Sequence, residues 1–500
     1  MTGLLHRAVL RTRGVPGLGA LYRGIYAGAL GLSARALHAL PGLASVYLHR
    51  GLSRCDWEPG VSDIDLILVL GDEEPDEGLS LPRLQARLAA LRRIFPMLGD
   101  IWLGSAEELR HYLRWGGLRA WEDAPDWKRL RGPGLEFPPL AESGPKRRWL
   151  DPWTWLFLSH MEIGRRYFDA AAGPPEKRDA DMRKLYLDAR RYGDYILADA
   201  EAGPAPLTRA EAQARAPEAG RLSPRELWLD SSLRLARASR LVLARLGSSG
   251  ECPAVLPAAT PKEREVLSRL LSCLGCARAV VRDQPYHTYL LLGENAAAMD
   301  YARAAEALLA APVPGVPLVL EPAAWALALQ SSYLGAPLGW LGAGAGRGSA
   351  AGGKLFPGWG ACAVGEPPAT LPLLTRRLRW ETAAEAASWM ALWWRPLWIG
   401  SGSGNRFVLH HLYTRALGLR LALAGEPGGP FCDWELTLPR AAALMGEDGR
   451  FAARLRRLLL DEPGGRLDSV SRGQLAPGHL GALTRLMAGL RRALAKGPPA

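Results

Sequence analysis

The chain has 500 residues, of which 48% are hydrophobic and 22% are charged, and its formal net charge at pH 7 is +12. This composition is typical of folded globular proteins and excludes both an intrinsically disordered polymer and a polytopic membrane protein. We expect no transmembrane segment, because charged residues or prolines interrupt every long apolar run. Since single hydrophobic cores stop growing near about 250–300 residues, we expect two to four domains.

The N-terminal segment carries most of the basic surplus. Residues 1–55 contain seven Arg and no Asp or Glu. A transit peptide or a membrane-surface helix can have this composition, but Pro16, Pro41 and many Gly interrupt the segment. We therefore interpret residues 1–40 as a broken amphipathic helical segment that forms a basic face of the folded protein. The six Cys are sparse for this length, as in reducing compartments, which favours a cytoplasmic location.

Residues 41–145 are predicted to form the first domain, a small mixed sheet with a helix. Residues 45–49 and 64–70 have the composition of strands, residues 81–95 place Leu at helical spacing, and residues 97–103 give a third strand. Strands and a helix in this order indicate an α/β arrangement.

The remaining chain is predicted to be largely helical, so the whole protein is expected to be of the α+β class. Beyond residue 145 we expect, in order, a helical domain at 146–282, a small α/β element at 283–340, a Gly-rich linker or loop at 341–370 and a C-terminal helical domain at 371–500. The predicted helices include 150–170, 180–202, 224–247, 262–280, 295–311, 375–398, 405–424, 437–445, 449–460 and 480–495, and the predicted strands include 286–292 and 316–320.

Three features of this second part could bind ligands, but each has a simpler structural interpretation. The CxxC at 273–276 could hold zinc with Cys252 and His287, but no second CxxC or HxxxH pair accompanies it. The Trp cluster at 389–398 could stack bases, but aromatic residues at helical spacing usually pack in a core. Gly400–Gly404 resembles a phosphate loop but lacks the Lys and Ser/Thr that should follow. We assign no site to any of them.

The acidic residues at the start of the second predicted strand are the strongest candidates for a functional site. Alternate residues of a strand project from the same face, so Asp63 and Asp65 are expected side by side. Adjacent carboxylates repel each other unless cations neutralise them, and Mg²⁺ prefers such oxygen ligands together with substrate phosphates. Asp100 lies among apolar residues of the next predicted strand, where an acid is costly to bury without a partner. We therefore predict it as the third ligand.

This segment resembles the nucleotidyltransferase domain of the DNA polymerase beta superfamily, in the minimal form of bacterial antibiotic and protein nucleotidyltransferases. That family couples a strand ending in Gly-Ser or Gly-Gly to a following Ser-Asp-x-Asp strand, with a third acidic residue on a later strand. In this sequence the same features follow one another as the strand 45–49, the turn with Gly51 and Ser53, the run Ser62-Asp63-Ile64-Asp65, and Asp100. The resemblance covers roughly residues 40–110.

The resemblance implies an enzyme dependent on Mg²⁺ or Mn²⁺ that moves a nucleoside monophosphate from an NTP, with ATP as the expected nucleotide, to a hydroxyl group of a small molecule or a protein. Asp63 and Asp65 would hold two metal ions, and Asp100 would hold the catalytic ion and help to deprotonate the acceptor. The triphosphate would bind along Arg50, Gly51, Ser53 and Ser62. A nucleic-acid partner is not expected, because the N-terminal charge surplus is small for a basic track.

Residue 50 departs from the family pattern. In an alignment without gaps, Arg50 occupies the position of the first Gly of the family's Gly-Ser pair and Gly51 takes the second. A shifted alignment would make Gly51 and Ser53 the pair, with Leu52 inserted. Arg50 could grip the triphosphate through a charged hydrogen bond, or it could block the nucleotide. The alternative functions are a catalytically degenerate nucleotide-binding or scaffold protein, and a template-independent RNA polymerase or tRNA-modifying enzyme.

Overall fold

The computed structural model is an α+β protein with two small mixed sheets. It describes residues 8–330, 361–400 and 477–498, together with 412, 416–417, 419–420, 422–424 and 443. Short gaps within these ranges lie at 10, 13, 55–56, 61, 72–76, 137–143, 170–174, 199–205, 254–260, 273–276, 284–286, 311–315, 367–369 and 373. Within the described ranges, no helix has the length and apolar character needed to cross a lipid bilayer.

The elements of the first part of the chain follow one another from the N-terminus. They are α1 (Leu18–His38), β1 (Leu43–His49), β2 (Ile64–Leu70), α2 (Glu77–Ile94), β3 (Leu98–Ser105), α3 (Ala106–Trp115), α4 (Gly117–Asp123), β4 (Lys128–Arg131), α5 (Asp151–Phe168), α6 (Pro175–Leu197), α7 (Arg209–Arg215) and α8 (Pro224–Leu246). Short 3-10 turns lie at Ala124–Asp126 and Pro217–Gly220, and a π-helical turn, Lys146–Leu150, precedes α5.

A second run of strands and helices follows α8. It comprises β5 (Glu251–Pro253), α9 (Pro261–Ser272), β6 (Ala277–Asp283), β7 (His287–Leu292), α10 (Ala298–Ala310), β8 (Val316–Leu320), α11 (Pro322–Gln330), β9 (Ala361–Gly365), β10 (Thr370–Pro372), α12 (Arg376–Gly400) and α13 (Pro477–Lys496). Strands β5 and β10 form a separate two-stranded antiparallel pair.

The chain divides into two compact units, each built from separate stretches of sequence. Unit 1 comprises Met1–Glu142, Ala384–Arg420 and Ala453–Ala500, and unit 2 comprises Ser143–Ala383 and Leu421–Ala452. The predicted boundary at residue 145 lies close to the first division. The region predicted as one C-terminal domain, 371–500, is shared between the two units.

The sheet of unit 1 has the order β3-β2-β1-β4, in which β2 runs antiparallel to β1 and parallel to β3. Helix α2 makes the crossover between the parallel strands, and α1 contacts β1 and β4. Every residue of β2 is buried except Asp65, which is half-buried. This near-continuous apolar run is typical of a strand that is covered on both faces.

The sheet of unit 2 repeats this topology. Its order is β8-β7-β6-β9, with β7 antiparallel to β6 and parallel to β8. Helix α10 makes the crossover, and α9 contacts β6 and β9 as α1 contacts β1 and β4. A helix also follows the third strand in both sheets, α3 after β3 and α11 after β8. The chain therefore contains one topological unit twice.

Two predictions of secondary structure require correction, and a third is confirmed. The helix predicted at 262–280 ends at Ser272, and Ala277–Asp283 forms a strand because its β-branched Val280 is buried in the second sheet. The Gly-rich segment predicted as linker contains the strand Ala361–Gly365. The broken helical segment predicted at 1–40 is observed: residues 8–9 and 11–12 are helical, a turn follows at 14–17, and a helix then runs over Leu18–His38.

Several sequence features lie wholly or mostly outside the described residues. These are the CxxC at 273–276, most of Gly400–Gly404, and the helices predicted at 405–424, 437–445 and 449–460. In the Trp cluster of α12, Trp389 and Trp394 are buried, as expected for core residues. Trp389 packs edge-on against Trp102 of β3, within unit 1.

Candidate functional site

The candidate site lies where β2 begins, between β1 and β3. In the first antiparallel pair, His49 lies opposite Asp65. In the parallel pair, Ile64 pairs with Leu98 and Leu66 with Ile101, so β3 holds one residue more than β2 at this point. The additional residue makes a bulge at Gly99–Asp100, beside Asp65. Bulges of this kind re-aim side chains and are common next to active sites.

Gly99 allows the two strands to approach each other closely. A Cβ atom at residue 99 would lie 2.4 Å from the Cβ of Asp63 and 2.7 Å from the Oδ1 of Asp65, distances that real side chains do not adopt. The backbone N–H of Asp100 donates to the same Oδ1 of Asp65 at 2.9 Å. Asp63 and Asp65 therefore flank one glycine, on the side where Asp100 enters the sheet.

Arg50 supplies a positive charge between two of the acids. Its Nη1 lies 2.6 Å from the Oδ2 of Asp100 and 3.8 Å from the Oδ2 of Asp65. Its guanidinium carbon lies 5.3 Å from the centre of the Trp102 ring, so the group is also in contact with an aromatic face. The Asp100 side chain is 46% exposed and that of Asp65 is 15% exposed, so solvent reaches the cluster from the side of Asp100.

The environment of Asp65 disfavours its ionised form. Burial raises the pKa of Asp65 to about 6, and the carboxylates of Asp100 and Asp63 add to the increase. The Arg50 charge and the N–H of Asp100 act in the opposite direction and lower this pKa. At neutral pH Asp65 is thus mostly ionised but incompletely compensated, which favours the binding of a further cation.

The turn after β1 places Arg50 against the acids. Arg50 has a φ of 64°, a left-handed conformation that favours glycine. Its carbonyl oxygen accepts hydrogen bonds from the N–H and the hydroxyl of Ser53, at 3.0 and 2.6 Å, and from the N–H of Arg54 at 3.2 Å. The buried Ser53 hydroxyl therefore holds the turn. Gly51 is half-buried within the same turn.

Ser62 also serves the local backbone. It is buried, and its hydroxyl accepts a hydrogen bond from the N–H of Glu58 at 3.0 Å. Its carbonyl oxygen accepts a hydrogen bond from the Tyr26 hydroxyl at 3.0 Å. Of the four residues predicted to bind the nucleotide, Arg50 is the one whose side chain contacts the acids, while Ser53 and Ser62 shape the backbone around them.

A network of ion pairs that the sequence analysis missed anchors this turn to α4. The Nε of Arg54 lies 2.7 Å from a carboxylate oxygen of Asp126, and its Nη2 donates to Asp123 at 2.5 Å. Arg119 pairs with the other oxygen of the fully buried Asp123 at 2.9 Å. Arg54 is distant in sequence from Asp123 and Asp126, so no spacing pattern marks these two contacts. Arg119 and Asp123, in contrast, have the i,i+4 spacing of a helical ion pair.

His49 lies beneath the cluster and is neutral. It is fully buried, and among the described residues neither of its ring nitrogens has a hydrogen-bond partner. Burial holds its pKa well below 6.5, and the charges of Arg50, Arg119 and Arg54 lower it further. Its ring lies 4.4 Å from that of Trp102, centre to centre. His49 thus adds bulk to the floor of the site and no charge.

The donor set suits a hard cation. Asp65 and Asp100 already share one cationic group, the Arg50 guanidinium, and carboxylate oxygens are the ligands that Mg²⁺ takes. Within the described part of the chain, however, no three His, Cys, Asp or Glu side chains are grouped so that they could hold a metal ion. The metal site at Asp63, Asp65 and Asp100 therefore stays a prediction.

Comparison with known proteins adds no relative. No family model, no curated protein and no solved structure matches this chain. The chemistry available at the site therefore has to follow from its own residues.

Proposed function

We propose that this protein is a nucleotidyltransferase that uses Mg²⁺ or Mn²⁺ to move a nucleoside monophosphate from an NTP, with ATP as the expected donor, to a hydroxyl group of a small molecule or a protein. The observation that supports the proposal is the meeting of Asp65 and Asp100 around one cationic group. Acids that converge from two parallel strands on a cation, beside a turn, are what binding of a metal-bound triphosphate requires.

Each acid has a distinct part in this proposal. Asp63, Asp65 and Asp100 would hold the metal, which when bound supplies charge neutralisation for the phosphates and for the attacking oxygen. Of the two acids that pair with Arg50, Asp65 is the less exposed, and a bound cation would stabilise its ionised form, since its pKa is raised to about 6. Asp100 is the more exposed partner and in this proposal would accept the proton of an incoming hydroxyl group.

In this proposal Arg50 would contact a phosphate. Its conformation supports the alignment without gaps, because a φ of 64° at residue 50 is what a glycine would adopt with ease. For an L-residue this conformation costs roughly 1–2 kcal/mol, and the ion pair with Asp100 compensates for part of that cost. With a metal held by the carboxylates, the Arg50 guanidinium would be available for a charged hydrogen bond to a phosphate oxygen.

Release of pyrophosphate tests the proposal. The full chain would be incubated with each labelled NTP and Mg²⁺ or Mn²⁺, with and without candidate hydroxyl acceptors, and both pyrophosphate and labelled protein would be measured. The matched variants are Asp65→Asn, at the site, and Glu107→Gln, an exposed acid at the start of α3. We expect pyrophosphate from the wild type and Glu107→Gln but none from Asp65→Asn. Equal release from Asp65→Asn would contradict the proposal.

A second candidate function is a catalytically degenerate protein that binds a nucleotide or acts as a scaffold. The specific observation in its favour is the 2.6 Å ion pair between Arg50 and Asp100, which places a fixed cation where a metal would be needed. Nucleotide binding that raises the melting temperature without metal, together with no pyrophosphate from any NTP, would favour this candidate.

A further inference from the structure

The cationic group within the acid cluster is part of the chain itself. Arg50 contacts both Asp65 and Asp100 through one nitrogen. Two nearby arginines have other partners: Arg54 pairs with acids of the α4 region, and Arg92 donates to the carbonyl oxygen of Gly99 at 2.8 Å. Arg50 therefore pairs with the same two carboxylates that a metal at this site would have to contact.

The Arg50 guanidinium is held there with one donor unused. Its Nε is buried and has no hydrogen-bond partner among the described residues. Its backbone is fixed by the three hydrogen bonds that its carbonyl oxygen accepts from Ser53 and Arg54, so only the side chain is free to change partners. A phosphate oxygen could satisfy the unused donor, since guanidinium groups bind phosphate through several N–H groups at once.

We infer that Arg50 is a built-in competitor of the divalent cation for Asp65 and Asp100. This inference rests on the proposed cation site and adds a rule for how that site is filled. Metal alone binds weakly, because it must displace a charged partner. Metal and triphosphate together bind more tightly, because the displaced guanidinium gains a phosphate partner. By linkage, each ligand then raises the affinity for the other.

Titration of the full chain with Mn²⁺ in the absence of nucleotide tests the competition, with free Mn²⁺ followed by electron paramagnetic resonance. Arg50→Gly and Arg50→Asn both remove the charge, and both residues tolerate the left-handed backbone, so the turn is retained. Arg92→Ala is the matched control, since it removes a nearby positive charge that touches no carboxylate in this cluster.

We expect each Arg50 variant to bind Mn²⁺ at least about tenfold more tightly than the wild type, as loss of a charged partner implies. We expect Arg92→Ala to leave the affinity within about twofold, because exposed charges are screened. Combining Asp65→Asn with Arg50→Gly should abolish the gain. Unchanged or weaker Mn²⁺ binding by folded Arg50 variants would overturn the inference, as would an equal gain in Arg92→Ala or no binding by any variant.

These titrations contain no substrate and no turnover. A gain in Mn²⁺ affinity without any pyrophosphate release would therefore support the inference about Arg50 and contradict the proposed enzyme activity. Pyrophosphate release without a gain in Mn²⁺ affinity would support the enzyme activity and contradict the inference about Arg50.

Discussion

The two four-stranded sheets share strand order, strand directions and the positions of their helices, but they differ where the antiparallel pair is connected. In the first sheet residues 50–63 make this connection, and in the second sheet residues 284–286 make it. The longer connection carries Arg50, and it ends at Asp63, next to Asp65. The shared topology is therefore not sufficient to form the candidate site, because the second sheet has the same topology but a short connection.

The third strand shows the same contrast. Strand β3 bulges at Gly99–Asp100 beside Asp65, whereas β7 and β8 pair without a shift from His287 and Val316 onward. In the first sheet, Asp65 of β2 pairs with His49 of β1. At the corresponding position of the second sheet, His287 of β7 pairs with Asp283 of β6. The first sheet thus combines a bulge in its parallel pair with a long turn and three acids. In the second sheet the register shift lies in the antiparallel pair, between Ala277 and Ala279, and the parallel pair has none.

Besides their topology, the two sheets share an ion pair between a buried glutamate and an arginine. In unit 1 the buried Glu108 follows β3 and pairs with the buried Arg395 of α12 at 2.8 Å. In unit 2 the buried Glu321 follows β8 and pairs with Arg240 of α8. Each sheet thus has a buried glutamate within three residues of the end of its third strand, paired with an arginine of a helix that lies far away in sequence.

The largest effect is expected at Asp65. Asp65→Asn should lower the rate of nucleotide transfer by more than about 100-fold, because loss of a metal ligand costs more than loss of an outer partner. His287→Asn, at the corresponding register position of the second sheet, should leave the rate unchanged. Pyrophosphate release by the two variants measures the difference. Equal losses would mean that the second sheet also takes part in the reaction.

The shared glutamates should affect stability instead. Glu108→Gln removes the buried carboxylate that pairs with Arg395 and should cost about 3–5 kcal/mol of unfolding free energy. Glu321→Gln should cost less, about 1–3 kcal/mol, because the Arg240 side chain is 38% exposed. Urea unfolding followed by Trp fluorescence measures both.

Glu306→Gln is the control for this comparison, since it removes one partner of an exposed ion pair with Arg225 and should cost under about 1 kcal/mol. A Glu108 variant as stable as this control would show that the ion pair between Glu108 and Arg395 does not stabilise unit 1.

The sequence could predict the elements and the acids of this site. The apolar run that predicts a strand at 64–70 is observed as Ile64–Leu70, because a buried strand needs such a run. Strand alternation predicts Asp63 and Asp65 on one face, and both flank Gly99. These features depend on local composition and spacing, which a single sequence contains.

The contacts of the site could not be predicted in the same way. The ion pair of Arg50 with Asp100 depends on a left-handed residue and on a bulge in another strand. A glycine within a strand pattern, Gly99, was the available signal for that bulge. The repeated topology of the second sheet could not be predicted either. The helical spacing that predicts a helix at 262–280 runs into the residues that form the sheet's first strand, Ala277–Asp283.

Acidification should destabilise the protein through a buried histidine of unit 2. Burial lowers the pKa of His160 from 6.5 to about 4, so the folded chain keeps this ring neutral. An unfolded chain takes up a proton near pH 6.5, so the stabilising contribution is complete above that pH and is lost as the pH falls towards 4. The loss should reach about 3 kcal/mol.

His160→Gln should remove this part of the pH dependence, measured by urea unfolding between pH 7 and pH 4. His49 in unit 1 has a pKa lowered by burial and by three arginines, so its contribution should survive in the His160 variant. An unchanged pH slope in His160→Gln would contradict the assignment.

Arg50→Gly should produce the most specific effect, because its sign distinguishes two roles of the guanidinium. If the guanidinium grips phosphate, ATP binding in the presence of Mg²⁺ should weaken by roughly 1.5–3 kcal/mol, and the loss should shrink as salt rises. If Arg50 blocks the nucleotide, the same variant should bind ATP more tightly. Calorimetric titration separates the two, and we expect weaker binding.

The central claim is that the acids of the first sheet form the one place where metal and triphosphate meet in the described part of the chain. A crystal structure with Mn²⁺ and a non-hydrolysable ATP analogue, with anomalous scattering recorded at the manganese edge, tests it directly. We expect an anomalous peak in contact with Asp65 and Asp100, with the Arg50 guanidinium on a phosphate oxygen. A nucleotide bound elsewhere, or Arg50 still paired with Asp100 beside a bound nucleotide and no manganese peak, would contradict it.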